Sequence, residues 1–357
     1  MRMKWTAAFV ALVIAGALMG VGCIQNEEGT RAAESAVYVK VLPPATMLDA
    51  LKSGDVDGFV GWSPFDAQAV VSGYGVRLLN SSEVWPNHPC CILAASESYT
   101  DERVLTALVW AHIKATEFIN DPANHDKVVQ YVMEFMGFDR DVAEAALPTV
   151  KFVEYPDVEE FRNYYYRLKE AGLLESTPEE LGYGSEDAFF DDFLTDEYYR
   201  AVKEKLDANP NWVPEKVSPN EVVRIAYLPS DHHLALYVAQ KEGYYEQVGL
   251  VSGENLEIKP PFANGVAIME AFKNGEIDVG YLGGAPATLK RINDDVKIRI
   301  IAGANNEGSS IVVGAQSGIN TPAQLAGKTI ATPGFGTVQD FILRQLAEEN
   351  GLRVVLK

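Results

Sequence analysis

Cysteine is almost missing from this sequence. Three stand in 357 residues, Cys23 and the adjacent pair Cys90-Cys91. That is too few for a disulfide-stapled fold, and the Cys and His partners at set spacing that announce a zinc site are not there. The adjacent pair reads as small strand residues packed in a core, with a vicinal disulfide as the open alternative. Basic residues are also short: 30 Lys and Arg stand against 50 Asp and Glu, a net charge of −20. No basic face remains to neutralise phosphates, which excludes nucleic acid as a partner. An acidic surface favours solubility and leaves the capture of an anion to backbone amides and single side chains. There is no nucleophile elbow. Gly334-Phe335-Gly336-Thr337 lacks the lysine of a phosphate-binding Walker loop, and His232-His233 has no spaced third ligand. Catalytic residues, a metal and a cofactor are therefore not expected, and the chain is not read as an enzyme.

The sequence has a single long apolar run. Arg2 and Lys4 precede Trp5 to Gly22, which ends at Cys23. This is the pattern of a signal sequence over residues 1–23. Gly20-Val21-Gly22-Cys23 resembles a lipobox with Gly20 in place of the usual Leu, so the readings are a lipidated Cys23 or an uncleaved signal anchor. Both tether the protein to the outer face of the cell membrane. Residues 24–36 are small and polar and suit a flexible tether. A second break falls at residues 207–221, which carry three prolines and no apolar period. The mature chain thus divides into 37–206, a linker, and 222–357, enough for two lobes with real cores.

One phrase occurs twice. Asn264 to Ala287 (NGVAIMEAFKNGEIDVGYLGGAPA) reads as helix, glycine stop, buried strand and glycine-rich loop. Thr46 to Phe65 (TMLDALKSGDVDGFVGWSPF) repeats it, with Gly54 matching Gly275, Asp57 matching Asp278, and Trp62-Ser63 standing where Gly283-Gly284 stand. A repeat in that register predicts two related lobes. In open α/β sheets ligands lie beyond the carboxyl ends of the strands, where both copies end in small-residue loops.

From Arg224 onward the sequence resembles the amino-terminal half of a type II substrate-binding protein of ABC importers. The motifs are IAYLPSDHH, KEGYYEQVGL, NGVAIMEAFKNGEIDVGYLGGAPA and LAGKTIATPGFGTVQDFILRQLAEENGL. Val37 to Leu206 resembles the carboxy-terminal half, through VLPPATMLDALKSGDVDGFVGWSPF and HPCCILAASESY. The group is that of sulfonate, taurine and nitrate binders, related to thiamine-pyrimidine binders. In that family a segment like NGLRVVLK runs into one like VLPPATMLDAL, whereas here the first closes the chain and the second opens it. The resemblance therefore implies a two-lobed α/β fold in circularly permuted order, with Val354 to Leu356 and Val37 to Val41 competing for one strand position. Closure within one chain, exchange of half-lobes between chains and a truncated tandem array are the open readings.

What the resemblance implies for function is capture of a small, anionic, sulfonate-type solute by lobe closure, and its delivery to an ABC permease served by a separate ATPase. The loops that would present N–H donors are Ser230, Asp231, His232 and His233; Asn264 and Gly265; Gly283, Gly284 and Ala285; Ser309 and Ser310 at the crossover; and Gly334, Gly336 and Thr337 before a helix. Of these, Gly334 to Thr337 reads as the best single anion site in the second half. Trp62 and Ser63 occupy the repeat position of Gly283 and Gly284. His88 is a candidate for titration near neutral pH or for hinge packing. Two other functions fit the same fold. One is an enzyme like the menaquinone-precursor dehydratases, for which a shifted acid such as Glu307 or Asp231 would speak. The other is a ligand sensor.

Overall fold

A computed structural model of the chain describes residues 35–357. The expected signal sequence, Cys23 and the expected tether up to residue 34 lie outside the described residues. Among the described residues no helix is long and apolar enough to cross a membrane.

Two six-stranded sheets organise the molecule. The first contains β1 (Ala36–Val41), β2 (Gly58–Trp62), β3 (Gly75–Asn80), β10 (Ser309–Gly314), β11 (Thr329–Thr332) and β12 (Arg353–Leu356), in the order β12-β1-β11-β2-β10-β3. The second contains β4 (Pro89–Ser96), β5 (Val150–Phe152), β6 (Val223–Ala226), β7 (Leu256–Ile258), β8 (Val279–Gly283) and β9 (Ile298–Glu307), in the order β5-β9-β4-β8-β6-β7. Without the edge strands β12 and β5, the two orders superpose: β1-β11-β2-β10-β3 on β7-β6-β8-β4-β9. In each, one inner strand, β10 or β4, is antiparallel to both neighbours. The reason lies in the connections. Each reversed strand is the one that arrives from the other lobe, β3 leading to β4 through Ser81–His88 and β9 leading to β10 through Gly308. This is the two-lobed type II arrangement.

The lobes are not the two sequence halves. One takes residues 36–80 and 309–357, and the other takes 89–307, so the chain crosses only twice. The repeat is reproduced atom for atom at one point. Asp57 Oδ2 accepts the N–H of Thr329 at the start of β11, and Asp278 Oδ2 accepts the N–H of Arg224 at the start of β6, both at 2.8 Å. Each aspartate thereby pins its own strand to the parallel neighbour.

The competition between the first and last strands resolves by rank. β1 lies inside, parallel to both β11 and β12, with Val37 and Val39 buried. β12 takes the rim, where Leu356 is 59% exposed. A strand carrying alternate fully buried valines belongs where both edges are paired, and one led by an exposed Arg353 tolerates the edge.

Helices cover the second sheet. The longest, Glu102–Asn120, starts at Asp101, whose carboxylate accepts the N–H groups of Arg103 and Val104. The linker is seated against this lobe: Trp110 Nε1 donates to Trp212 O at 2.9 Å, the Val217 N–H donates to Val248 O, and Val217 is buried. Phe189, Phe190 and Phe193 anchor the acidic segment before it.

Candidate functional site

Between the lobes lies a small cavity of about 40 Å³. The first lobe contributes Trp62, Pro333, Thr337, Val338 and Gln339; the second contributes Cys90, Cys91, Leu228, Ser230, His232, Asn264, Gly265, Gly283 and Pro286. All sit at the ends of strands or in the first turns that follow. Three helices begin at its wall. Asn264 caps Gly265–Lys273 by accepting the Ala267 N–H at 3.0 Å. Gly283 precedes Gly284–Asn293, and Thr337 caps Val338–Glu349. A Cβ on Gly265 would lie 2.7 Å from Pro286 Cγ, so only glycine lets these two helix starts approach. The lining contains no carboxylate, lysine or arginine, in a chain with 50 acidic residues. The helix amino termini at Gly265 and Gly284 add positive partial charge to this wall.

Several expected residues sit elsewhere. Gly284 faces packing, since a Cβ there would meet Phe161 Cε2 at 2.5 Å and Tyr164 Cε2 at 2.9 Å. Ala285 is buried off the cavity. The glycine-rich loop expected at 283–286 is the first turn of a helix. Gly334 and Gly336 do not reach the cavity, and the amino terminus beside them is already occupied: the Gly336 N–H donates to Asp340 Oδ2 at 3.1 Å, and the Thr337 hydroxyl donates to Gly334 O at 2.7 Å. The helix's own acid fills the place expected for a bound anion. Ser309 accepts Gln339 Nε2 at 2.9 Å, and Ser310 donates to Asp66 Oδ2 at 2.5 Å. His233 accepts the Leu228 N–H and packs on Tyr281.

Ser63 and Asp231 join the lobes. Ser63 Oγ donates to Asp231 Oδ2 at 2.6 Å, and Ser230 Oγ donates to Ser63 O at 3.1 Å. Burial raises the Asp231 carboxyl to about 6, against the opposing pull of His232 and the Ser63 bond. Glu307 is held by the Asn87 N–H and by Lys151 Nζ, each at 2.9 Å. His88 lies in the crossover from β3 to β4: it is buried between Ser81 Oγ and Pro89 O, and burial lowers its pKa.

Cys90, Cys91 and His232 meet in the cavity wall. Their coupled titration has a clear direction. The hydrogen bond from Cys91 lowers Cys90, with His232 adding to it against burial, while Cys91 is pushed up. Burial pulls His232 down, but Cys90, Asp231 and the Gly308 carbonyl together outweigh it and lift the imidazole to about 9. Sequence reading placed the two cysteines in the core. Pro286, Pro333, Val338 and Gln339 were missed too, although each directly follows the end of a strand or begins a helix there.

The class of protein is defined by these features: two α/β lobes of type II order with a cavity at their boundary. An NMT1-like family model matches residues 24–133. An NMT1/THI5-like model matches residues 230–355. Among curated proteins, the bicarbonate transport ATP-binding protein CmpC of Synechocystis sp. is 32% identical over 99 residues, 27% of this chain and 15% of its own length. The nitrate import ATP-binding protein NrtC of Synechococcus elongatus is 31% identical over 103 residues, 28% of this chain and 16% of its length. The nitrate/nitrite binding protein NrtA of Nostoc sp. is 23% identical over 135 residues, 37% of this chain and 31% of its length. The chain thus matches a minor part of each relative. The structure of Haemophilus influenzae OppA in complex with RPPGFSPFR aligns at a TM-score of 0.31 and 11% identity, over 78% of this chain and 54% of that one. That score carries no argument about the fold.

Proposed function

We propose that this protein is an extracytoplasmic solute-binding protein that captures a small anionic solute by closure of its lobes and hands it to an ABC permease driven by a separate ATPase. A sulfonate-type solute is the first choice, with an oxyanion head at the helix starts and an apolar part against Trp62, Leu228 and Pro286. The observation that carries this reading is the cavity itself, walled by the helix starts at Gly265 and Gly284 and lined by no carboxylate. Relatives named for bicarbonate and nitrate transport agree in solute class. The amino-terminal apolar run, through Cys23 or as an anchor, tethers the protein to the outer membrane face. We read the order of the halves as permuted relative to the family, supported by strands from both ends of the chain lying side by side in one sheet.

The enzymatic alternative required a free, shifted acid in the cleft. Asp231 is shifted but is engaged with Ser63, Glu307 is engaged with Asn87 and Lys151, and neither lines the cavity. A thermal-shift screen against nitrate, bicarbonate, taurine, alkyl sulfonates and pyrimidines tests the reading, because a ligand bound only by the folded state raises its apparent stability. The expected result is a rise in Tm with at least one anion, abolished by Gly265→Leu. No rise with any anion, combined with turnover of one of these compounds, overturns it.

A further inference from the structure

No metal-ligand spacing is visible along the chain, yet the fold assembles a ligand set. The sulfurs of Cys90 and Cys91 are 3.9 Å apart, and His232 Nδ1 lies 3.5 Å from the first and 3.8 Å from the second. All three side chains are buried, and all three residues line the interlobe cavity. Zinc bonds of about 2.3 Å to sulfur and about 2.0–2.1 Å to nitrogen, at tetrahedral angles, set two sulfurs about 3.8 Å apart and sulfur and nitrogen about 3.5 Å apart. Trigonal angles with the same bonds widen these to about 4.0 and 3.8 Å. The observed triangle falls within these values without movement of the backbone.

The imidazole is also oriented for ligation. His232 Nε2 donates to the Gly308 carbonyl at 2.8 Å. A carbonyl can only accept, so the hydrogen sits on Nε2 and the lone pair of Nδ1 points toward the sulfurs once the ring is neutral. A ligating histidine held by a backbone carbonyl through its other nitrogen is the usual outer-shell arrangement of metal sites. The charge balance fits as well. Two thiolates neutralise a divalent ion, and the cavity wall adds no carboxylate.

We propose that Cys90, Cys91 and His232 bind a thiophilic d10 cation, Zn²⁺ or Cu⁺, and that one coordination position faces the cavity. Binding displaces two protons from the three side chains and leaves His232 neutral, so affinity rises with pH. The open position is where a donor atom of a solute completes the coordination shell. The site does not depend on the transport reading, because it is defined by three side chains and needs no solute.

The test uses the full soluble chain under reductant and without added solute. Zn²⁺ is followed by competition with a chromogenic chelator, Cu⁺ by competition with bathocuproine disulfonate, and Co²⁺ by its sulfur-to-metal charge-transfer band. One equivalent of Zn²⁺ or Cu⁺ per chain is expected, with thiolate bands for Co²⁺. Cys90→Ser and Cys91→Ser should each weaken binding at least ~100-fold, beyond the 10–100-fold that loss of an outer-shell partner costs. Both are near-isosteric, and melting curves without metal establish that they fold; His232→Gln is the third arm. Absence of stoichiometric binding by the reduced parent, or its persistence in the Cys90→Ser/Cys91→Ser double variant, overturns the proposal. Neither result bears on the anion screen, so the two readings fail separately.

Discussion

His112 stays neutral inside the protein at pH values where the unfolded chain is protonated. It is fully buried, with Nδ1 3.0 Å from the Tyr281 hydroxyl, and burial lowers its pKa from 6.5 to about 4. The sign follows from proton counting. Above pH 6.5 neither state binds the proton and there is no effect. Between 6.5 and about 4 only the unfolded state binds it, so stability falls as the pH falls, by about 3 kcal/mol in total below 4. Denaturant unfolding at pH 7, 5.5 and 4 should show this slope, and His112→Gln should flatten it. Gly284 makes a steric prediction at the same scale. Its missing side chain leaves room for Phe161 and Tyr164, so Gly284→Ala should cost about 1–3 kcal/mol in the same assay. In the sequence, this glycine looked like a ligand contact. A glycine needed for close packing and one needed for a ligand look alike until the neighbour is known.

At the scale of elements, the repeated aspartates are the sharpest case. Asp57 and Asp278 accept equivalent N–H groups, those of Thr329 and Arg224, but Asp278 also receives the Arg224 side chain through Nε at 2.9 Å and Nη2 at 2.7 Å. Asp57→Ala should therefore lower stability by about 1 kcal/mol and Asp278→Ala by about 2–3 kcal/mol, read from denaturant midpoints at constant m. The match of the two copies was legible because a helix stop, an acid and a buried strand recur in register. The long helix at 102–120 carries an apolar face along its length, and its cap by Asp101 is what the structure adds. The helix starting at Gly284 was not, although Pro286 in its first turn is a residue that helix starts accept. The start at Val338 was legible, but not that Asp340 would occupy it. A local pattern shows that N–H groups are exposed at a helix end, and only the fold of the preceding loop decides what fills them.

At the scale of the molecule, the lobes meet through apolar packing, Tyr164 against Phe341 included, and through polar bonds. Ser63 to Asp231, Ser230 to Ser63 O and Trp62 Nε1 to Pro229 O at 3.5 Å all span the cleft. Ser63→Ala leaves the buried Asp231 carboxyl, whose Oδ1 already has no partner, without its hydroxyl. Small-angle scattering should show a larger radius of gyration, and the affinity for any solute that closes the lobes should fall about 10- to 100-fold. An unchanged radius and affinity would remove these bonds from the account of closure. The strand pairing of β1 between β11 and β12 lies within one chain, so sedimentation should give the mass of a monomer; an obligate dimer would favour exchange of half-lobes.

The sequence by itself determined the α/β class, the repeat and the lobe count. These rest on periodicity and spacing, which are properties of the chain as a string. Only the tertiary structure decided which residues share the cavity. Cys91 and His232 lie 141 residues apart, and their meeting depends on β4 crossing into the second sheet beside β8 while the loop after β6 folds over the same strand ends. Such a contact leaves no periodic trace. It is fixed by the order of strands and by the direction of the chain at its two crossings, and that is where the cavity and its two sulfurs come from.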